Sequence, residues 1–497
     1  MLKTYSFLLL LFLISVIIRV PNLNRPLSKH HEFNAALILI PMEVWEQTSI
    51  DEHYFSPIMS YQNEGDRGIA NMTSNTTEKN GNLFYLSFPA ATYVIPYFFF
   101  KILGVHPSPL ALQVFNMFTH LFCVLLLFQI VLFITSSQLP ESKRTIPAIV
   151  AATIFLFSPT PLWFYGNGYT HHTLVNVFIL WSILITLKIL YSNESNRNIK
   201  LLFVLTFSIL TAWAGYLLAF IICCIFLIRW YKQKKFQPTI VVSITAVLLG
   251  SFITYWQYSS IIGGSKFLAY LFDRFFVRSG LDIGFGSSIT QLFMGIGKWY
   301  IVGYLPILAF LLYQLFNLKI NRYQLTREER SFLIISSSLI FSHHFLLSEF
   351  TSAHNYSVLI DGILISGIAG ILLTKMINNG TSLKRIKFAM LLVFFTSISQ
   401  YYYINRIGEY SQNGDRYDFM QKIGETIKEN STKEEVIFVM NLEDKPSPQV
   451  IYYSKRNFHH VKDRDSANEI MYKSNIKTGK LFVIEKQKVK SIISINN

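Results

Sequence analysis

Charge is scarce in this chain: 15% of its 497 residues are Asp, Glu, Lys or Arg, against 51% hydrophobic and 15% aromatic, and the mean hydropathy is +0.36. That balance excludes an ordinary soluble globular protein, in which about a quarter of the residues are charged. Cysteine is scarcer still, and Cys123, Cys223 and Cys224 all lie inside apolar runs. Adjacent thiols cannot supply the spaced ligands of a zinc site, and no disulfide framework is implied. Repeats of about 20–50 residues and low-complexity tracts are also missing. The formal net charge of +15 falls in short loops between apolar runs. Orientation in a bilayer accounts for it there, and no nucleic-acid partner is expected.

Long apolar runs are what the chain does have. "YSFLLLLFLISVIIRV" follows Lys3 with no small-x-small cleavage site after it, and reads as a retained first helix rather than a signal peptide. Further runs of spanning length, about 20 residues, occur near 110–134, 146–165, 173–190, 237–258, 299–318, 331–348, 356–374 and 386–404. The run at 199–228 is too long for one upright span and too short for two, and Gly215 near its centre predicts two short helices. About eleven spans result, which is a polytopic α-helical membrane domain over 1–404. Loops holding Lys143 and Arg144; Lys188, Arg197 and Lys200; Arg229, Lys232, Lys234 and Lys235; Lys319, Arg322, Arg327 and Arg330; and Lys375, Lys384, Arg385 and Lys387 then share one side. Their basic excess predicts a cytoplasmic N-terminus in a multi-pass cell (inner) membrane protein.

The loop 21–109 falls outside and carries more acid than base. Its later part, "LFYLSFPAATYVIPYFFFKILG", is broken by Pro89 and Pro96 and is placed at the interface, because another span there would invert every later basic loop. A second external loop is expected over about 259–298. From 405 to 497 the composition turns soluble. "DRYDFMQKIGETIKEN" sets Phe419, Ile423 and Ile427 four apart on one helical face, and "EVIFVM", "QVIYY" and "KLFVIE" read as buried strands. A small extracytoplasmic α/β domain is expected there.

Ionisable groups are almost absent from the spans, whereas ion-coupled transporters carry charges or broken helices near mid-membrane. The unusual polar groups gather instead at outer ends of spans: "SKHHE" after the first, "NGYTHH" at His171 and His172, and "HHFLLSEFTSAHNYSVLID" from His343 to Asp361. This pattern suits a ligand with its tail in the bilayer and a polar head in water.

With these segments in their order, the chain resembles the GT-C membrane glycosyltransferases, particularly family 39 and relatives such as the protein O-mannosyltransferases and the aminoarabinose transferases of lipid A. The likeness covers most of the length. It comprises a first helix followed at once by an acidic site, the "GNLFYLSFPAATYVIPYFFFKILGV" stretch, "SPTPLWFYGNGYTHHT", the late "AHNYSVLIDGILI", and a soluble C-terminal domain. It implies transfer of a sugar from a polyprenyl-phosphate donor to a glycan, lipid or protein acceptor. Such chemistry needs a carboxylate to take the acceptor proton, cations for the phosphate, and a dry pocket.

The family keeps its carboxylate shortly after the first span, often as an Asp-Glu pair. Here "HHE" makes Glu32 the aligned base, with His31 where many relatives have aspartate. His31 then either orients the acceptor or shares a divalent metal with Glu32; the competing reading has Glu32 capping the helix that begins "EFNAALILI". Asp51 in "IDEH" is a second acid in the same loop. Lys29, Arg274, Arg278 and Lys298 are candidates for the phosphate. His354 and Tyr356 match the segment that the resemblance places near the donor. Asp361, just inside the following span, is either functional or buried against a neighbouring histidine. His343 and His344 cannot both face one way on a helix. The rival functions are a lipid-linked glycan flippase or other transporter, and an assembly protein that keeps the fold without catalysis.

Overall fold

In the computed structural model every apolar run read as a span is helical. It describes residues 2–27, 31–67, 69, 76–192, 197–317, 324–406, 418–442 and 447–496. Seven helices among them are long and apolar enough to cross a membrane, so the chain is a membrane protein. The chain divides into two compact units: Met1–Leu23, Gln113–Thr254 and Leu268–Gly408 form one, and Asn24–Leu112, Tyr255–Phe267 and Glu409–Asn497 the other.

The first unit is helical. Its outward faces carry exposed apolar side chains such as Phe220, Leu248, Phe252, Phe341 and Phe388, as lipid contact demands. Local chemistry sets where the runs break. The 146–165 run is cut between Thr145–Phe157 and Pro159–Phe164. Ser158, pushed out of the helical region by the proline that follows, is extended at φ −61° and ψ 136°. The 199–228 run divides as expected, into Arg197–Thr211 and Ala214–Gln233. Gly215 is required at this reversal, because a Cβ there would lie 2.6 Å from the Ser208 carbonyl oxygen.

The expected loop over about 259–298 is a correction, since it is mostly helical. Gly264–Arg278 is helical and strongly one-sided in its apolar residues, and Phe285–Asn317 begins well before the expected start at 299. Pro306 sits inside the latter and lacks the N–H that would reach the Val302 carbonyl. Gln400 supplies the donor instead, its Nε2 lying 2.8 Å from that oxygen and 2.7 Å from that of Ile301. Elsewhere in the unit Lys375 and Glu329 form a buried ion pair at 2.8 Å.

The second unit collects the chain's irregular parts. Helices Phe33–Gln47 and Ala91–Leu103 flank a hairpin, Thr76–Lys79 with Asn82–Tyr85. Its Asn80-Gly81 turn has positive φ at both residues (53° and 79°), the geometry that strand twist favours. Its C-terminal part is α/β. The sheet order is His459–Val461, Val436–Met440, Thr478–Glu485, Lys488–Asn496, parallel across the first three and antiparallel at the last. Helix Phe419–Glu429 buries Phe419, Ile423 and Ile427, as their spacing predicts. Helix Arg464–Lys473 packs Ala467 and Met471 onto Phe438 and Leu481 of the sheet. "QVIYY" is a correction: it lies in a helix, Pro448–Ser454, with Pro448 pre-set for the first turn. Both its faces are buried, so no period showed in the sequence.

Candidate functional site

In the second unit His31 takes a left-handed backbone (φ 53°), and Glu32 follows as N-cap residue of the Phe33–Gln47 helix. The Glu32 side chain does not cap that helix. It receives two bonds from Arg25 instead, Nη1 to Oε2 at 2.9 Å and Nη2 to Oε1 at 2.6 Å. Glu32 is only 1% exposed, so the pair is short, bidentate and largely dry, which makes it strong and directional. Tyr453, from the Pro448–Ser454 helix, bonds to the chain nearby: its hydroxyl accepts the Leu27 N–H at 2.9 Å. Burial, with the Glu32 charge adding to it, pushes this phenol up to about 12. Tyr453→Phe removes the acceptor and is expected to lower stability by about 1–3 kcal/mol, read as a downward shift of the thermal transition of purified protein.

The His31 Nδ1 is sealed from solvent, and burial lowers the imidazole to about 4. The ring is therefore neutral in the folded protein at pH 7. Because the folded value lies below the unfolded one, stability is complete above about 6.5 and is lost as pH falls from there towards 4. Burial lowers His53 and His459 too, so they add to the slope. A series of melts between pH 7 and pH 4 is expected to flatten in part for His31→Gln; an unchanged slope refutes the assignment.

The other acids of this unit are engaged differently. Asp51 lies on the surface in a short 3-10 turn, and a hydrogen bond from Ser49 holds its carboxyl low. Glu43 accepts from Tyr61 Oη at 2.8 Å and from Lys455 Nζ at 2.5 and 2.6 Å. Asp66 is fully buried against Arg456 Nε (3.0 Å) and the Asn457 N–H (2.9 Å). Lys29 lies outside the described residues.

In the first unit a buried polar cluster forms where several helices begin or end. His171 and His172 open one helix (His171–Tyr191), and His343 and His344 close another (Arg327–Leu346). His172 Nε2 lies 3.2 Å from His343 Nε2. His344 turns away from that contact: its Nε2 meets both Asp361 oxygens at 2.9 and 3.0 Å and its Nδ1 meets Thr351 at 3.3 Å. Tyr300 donates to the same carboxylate at 2.9 Å. Asp361 thus has the histidine partner that was one of its two readings. Phe350 stacks on His172 (5.6 Å) and on His354 (4.8 Å), and Tyr356 packs edge-on to it at 5.7 Å.

Arg278 reaches the same ring, 5.5 Å from the Phe350 centroid, while pairing with Glu349 at 3.0 Å. Arg278, His354, Tyr356 and, through the histidines, Asp361 are therefore brought into one contiguous cluster. Lys298 lies over the Trp299 ring at 4.6 Å, and Trp299 donates to the Ser352 carbonyl at 3.2 Å. Arg274 is one helical turn before Arg278. Sequence reasoning noticed the histidine pairs but assigned no site role to His171, His172, His343 or His344, and it missed Arg25 and Tyr453 altogether.

A metal shared by His31 and Glu32 does not fit these residues. Both Glu32 oxygens are spent on Arg25. Among the described residues no three His, Cys, Asp or Glu side chains converge as ligands of an ion would.

No family model and no curated protein matches the sequence. Solved structures do match its fold. ArnT from Cupriavidus metallidurans bound to undecaprenyl phosphate superposes with a TM-score of 0.59 at 11% identity, over 96% of this chain and 93% of that one. An oligosaccharyltransferase of Archaeoglobus fulgidus in complex with zinc and sulfate gives 0.56 at 13% identity, over 96% and 67%. Archaeal AglB from the same organism, with an inhibitory peptide and a dolichol phosphate, gives 0.53 at 11% identity, over 97% and 69%. At these identities the likeness establishes the fold alone: this chain folds as those ArnT and oligosaccharyltransferase structures do.

Proposed function

We propose that this GT-C-fold chain is a membrane glycosyltransferase, moving a sugar from a polyprenyl-phosphate carrier to an acceptor hydroxyl at the outer face of the cell membrane, with Glu32 as base. The observation that carries the reading is the buried Arg25–Glu32 pair just after the first helix. The undecaprenyl and dolichol phosphates in neighbours of the same fold supply the carrier class. An anionic sugar phosphate competes with Glu32 for Arg25, since a guanidinium grips phosphate and carboxylate in the same bidentate way. Exchange of Arg25 onto the phosphate frees a Glu32 oxygen for the acceptor hydroxyl. The acceptor oxygen then bonds to the anomeric carbon, the carbon–oxygen bond to phosphate breaks with its electron pair leaving on the carrier, and the hydroxyl proton passes to Glu32. Inversion follows from this single displacement, and no acid is needed because the leaving group is already a phosphate.

Within the first unit, and on its own account, the cluster of Arg278, His354 and Tyr356, with Lys298 and Arg274 as further cations, is proposed to bind phosphate. The N-terminus is cytoplasmic and the C-terminal α/β part lies outside, where it takes part in acceptor choice. Purified protein in proteoliposomes, given radiolabelled polyprenyl-phosphate sugars and extracted envelope glycans and lipids, is expected to move label from carrier to acceptor. Label that crosses between leaflets while staying on its carrier overturns the reading in favour of a flippase. Label that does neither favours an assembly role without catalysis.

A further inference from the structure

The long helix Phe285–Asn317 and the helix Leu383–Arg406 leave a groove of about 840 Å³ between their 305–313 and 384–396 stretches. That is within the range of about 300–1,000 Å³ typical of small-molecule sites. Its walls are apolar and open to the bilayer: Leu305, Tyr313, Phe388 and Leu392 are all exposed. Among the described residues the charged ones that line it are Lys384 and Arg385, adjacent in the first turn of the second helix. Neither has an ion-pair or hydrogen-bond partner among the described residues. The far end is marked by Pro306 and by the Gln400 link to the Ile301 and Val302 carbonyls. Pro306 both removes an i−4 bond and crowds the preceding turn, so the helix cannot close the gap by straight packing.

We propose that this groove binds one anionic glycerophospholipid, its phosphate on Lys384 and Arg385 and an acyl chain lying along Phe388 and Phe310 towards Pro306. Length selects this occupant. At about 1.5 Å per residue the two wall stretches run roughly 12 and 18 Å, against about 15 Å for half of a bilayer's hydrocarbon core. The trough thus accommodates a chain that ends at mid-membrane, whereas a long polyprenyl tail overruns it. Charge selects the headgroup. An acyl chain gains little on leaving other lipid for an apolar groove, so discrimination rests on the cations, which belong to the basic loop expected on the cytoplasmic side, where anionic lipids and basic pockets meet.

The full chain, reconstituted in nanodiscs of equal dioleoylphosphatidylglycerol and dioleoylphosphatidylcholine and released for native mass spectrometry, is expected to retain one phosphatidylglycerol in preference to phosphatidylcholine. The double variant Lys384→Gln/Arg385→Gln, at exposed positions that do not bear on folding, is expected to weaken that preference about thirty-fold, two cations at about 1 kcal/mol each. Ala389→Trp, which fills the trough, is expected to remove retention of both lipids. Equal retention of the two lipids by the unaltered protein overturns the proposal, as does a preference that survives the double variant or the Trp variant. Undecaprenyl phosphate displacing phosphatidylglycerol in the same assay also overturns it, in favour of a carrier site.

Discussion

Glu32→Gln is expected to lower sugar transfer by about 10²–10⁴-fold, the range over which a positioned general base acts. The amide that replaces the carboxylate keeps an acceptor for one Arg25 donor, so the Arg25 contact persists while the proton acceptor is lost. Donor binding is expected to remain, or to tighten, because Arg25 no longer has a carboxylate to leave. Initial-rate transfer assays, with a parallel titration of a non-transferable polyprenyl phosphate, separate the two quantities. Undiminished transfer removes Glu32 as base, and a parallel loss of carrier binding shows that the pair holds the site together without taking the proton. Asp51→Asn serves as the internal comparison. That carboxylate is exposed and bonded to Ser49, and its amide is expected to retain transfer within a few-fold.

The second large effect concerns stability. Asp66→Ala is expected to destabilise the second unit by about 3–5 kcal/mol, because it leaves Arg456 charged and buried without its counter-ion. Arg456 donates from Nε to Asp66 at 3.0 Å, and from Nη1 and Nη2 to Ser431 and to the Thr432 and Glu435 carbonyls. Burial raises the Asp66 carboxyl despite the guanidinium beside it, which puts the cost of drying this pair near its Coulombic gain. The double variant Asp66→Leu/Arg456→Met is therefore expected to recover much of the loss. Limited proteolysis with the C-terminal fragment followed by mass, alongside thermal melts, reads both proteins. A single variant as stable as the parent, or a double variant no better than the single, contradicts this account.

What could be read from the sequence and what could not divide along physical lines. A helix that meets lipid must be apolar over its whole length, so the runs announced themselves, and even the break near Gly215 was visible as a run of the wrong length. Strands "EVIFVM" and "KLFVIE" were visible for the same reason, since a core strand is continuously apolar. "QVIYY" looked identical and is a helix, because burial on both faces erases the period that separates the two. Asn80-Gly81 carries the signal of a tight hairpin, and the loop reading passed over it. The site was harder. Glu32 was singled out by its place after the first helix, but Arg25 lies seven residues back, and no periodicity in the sequence between points one side chain at the other. Asp66 and Arg456 are 390 residues apart, and nothing in either segment names the other. His344 and Asp361 fell between: each was conspicuous near a span end, yet the bond between them depends on how three helices end.

The C-terminal segment 453–457 supplies Tyr453 to Leu27, Lys455 to Glu43, Arg456 to Asp66, and Asn457 to the Met59 carbonyl and the Tyr61 N–H. Its consequence is temporal. Residues 25–66 leave the ribosome some 390 residues before the groups that bond them, with the apolar helices between the two. Contacts so far apart in sequence form late. The segment 25–66 therefore waits for these partners while the intervening helices are made, and Leu27 gains its Tyr453 bond only after them. Termination between residues 406 and 453 leaves a chain whose apolar helices are made and that lacks the side chains that bond Leu27, Glu43, Asp66 and Met59.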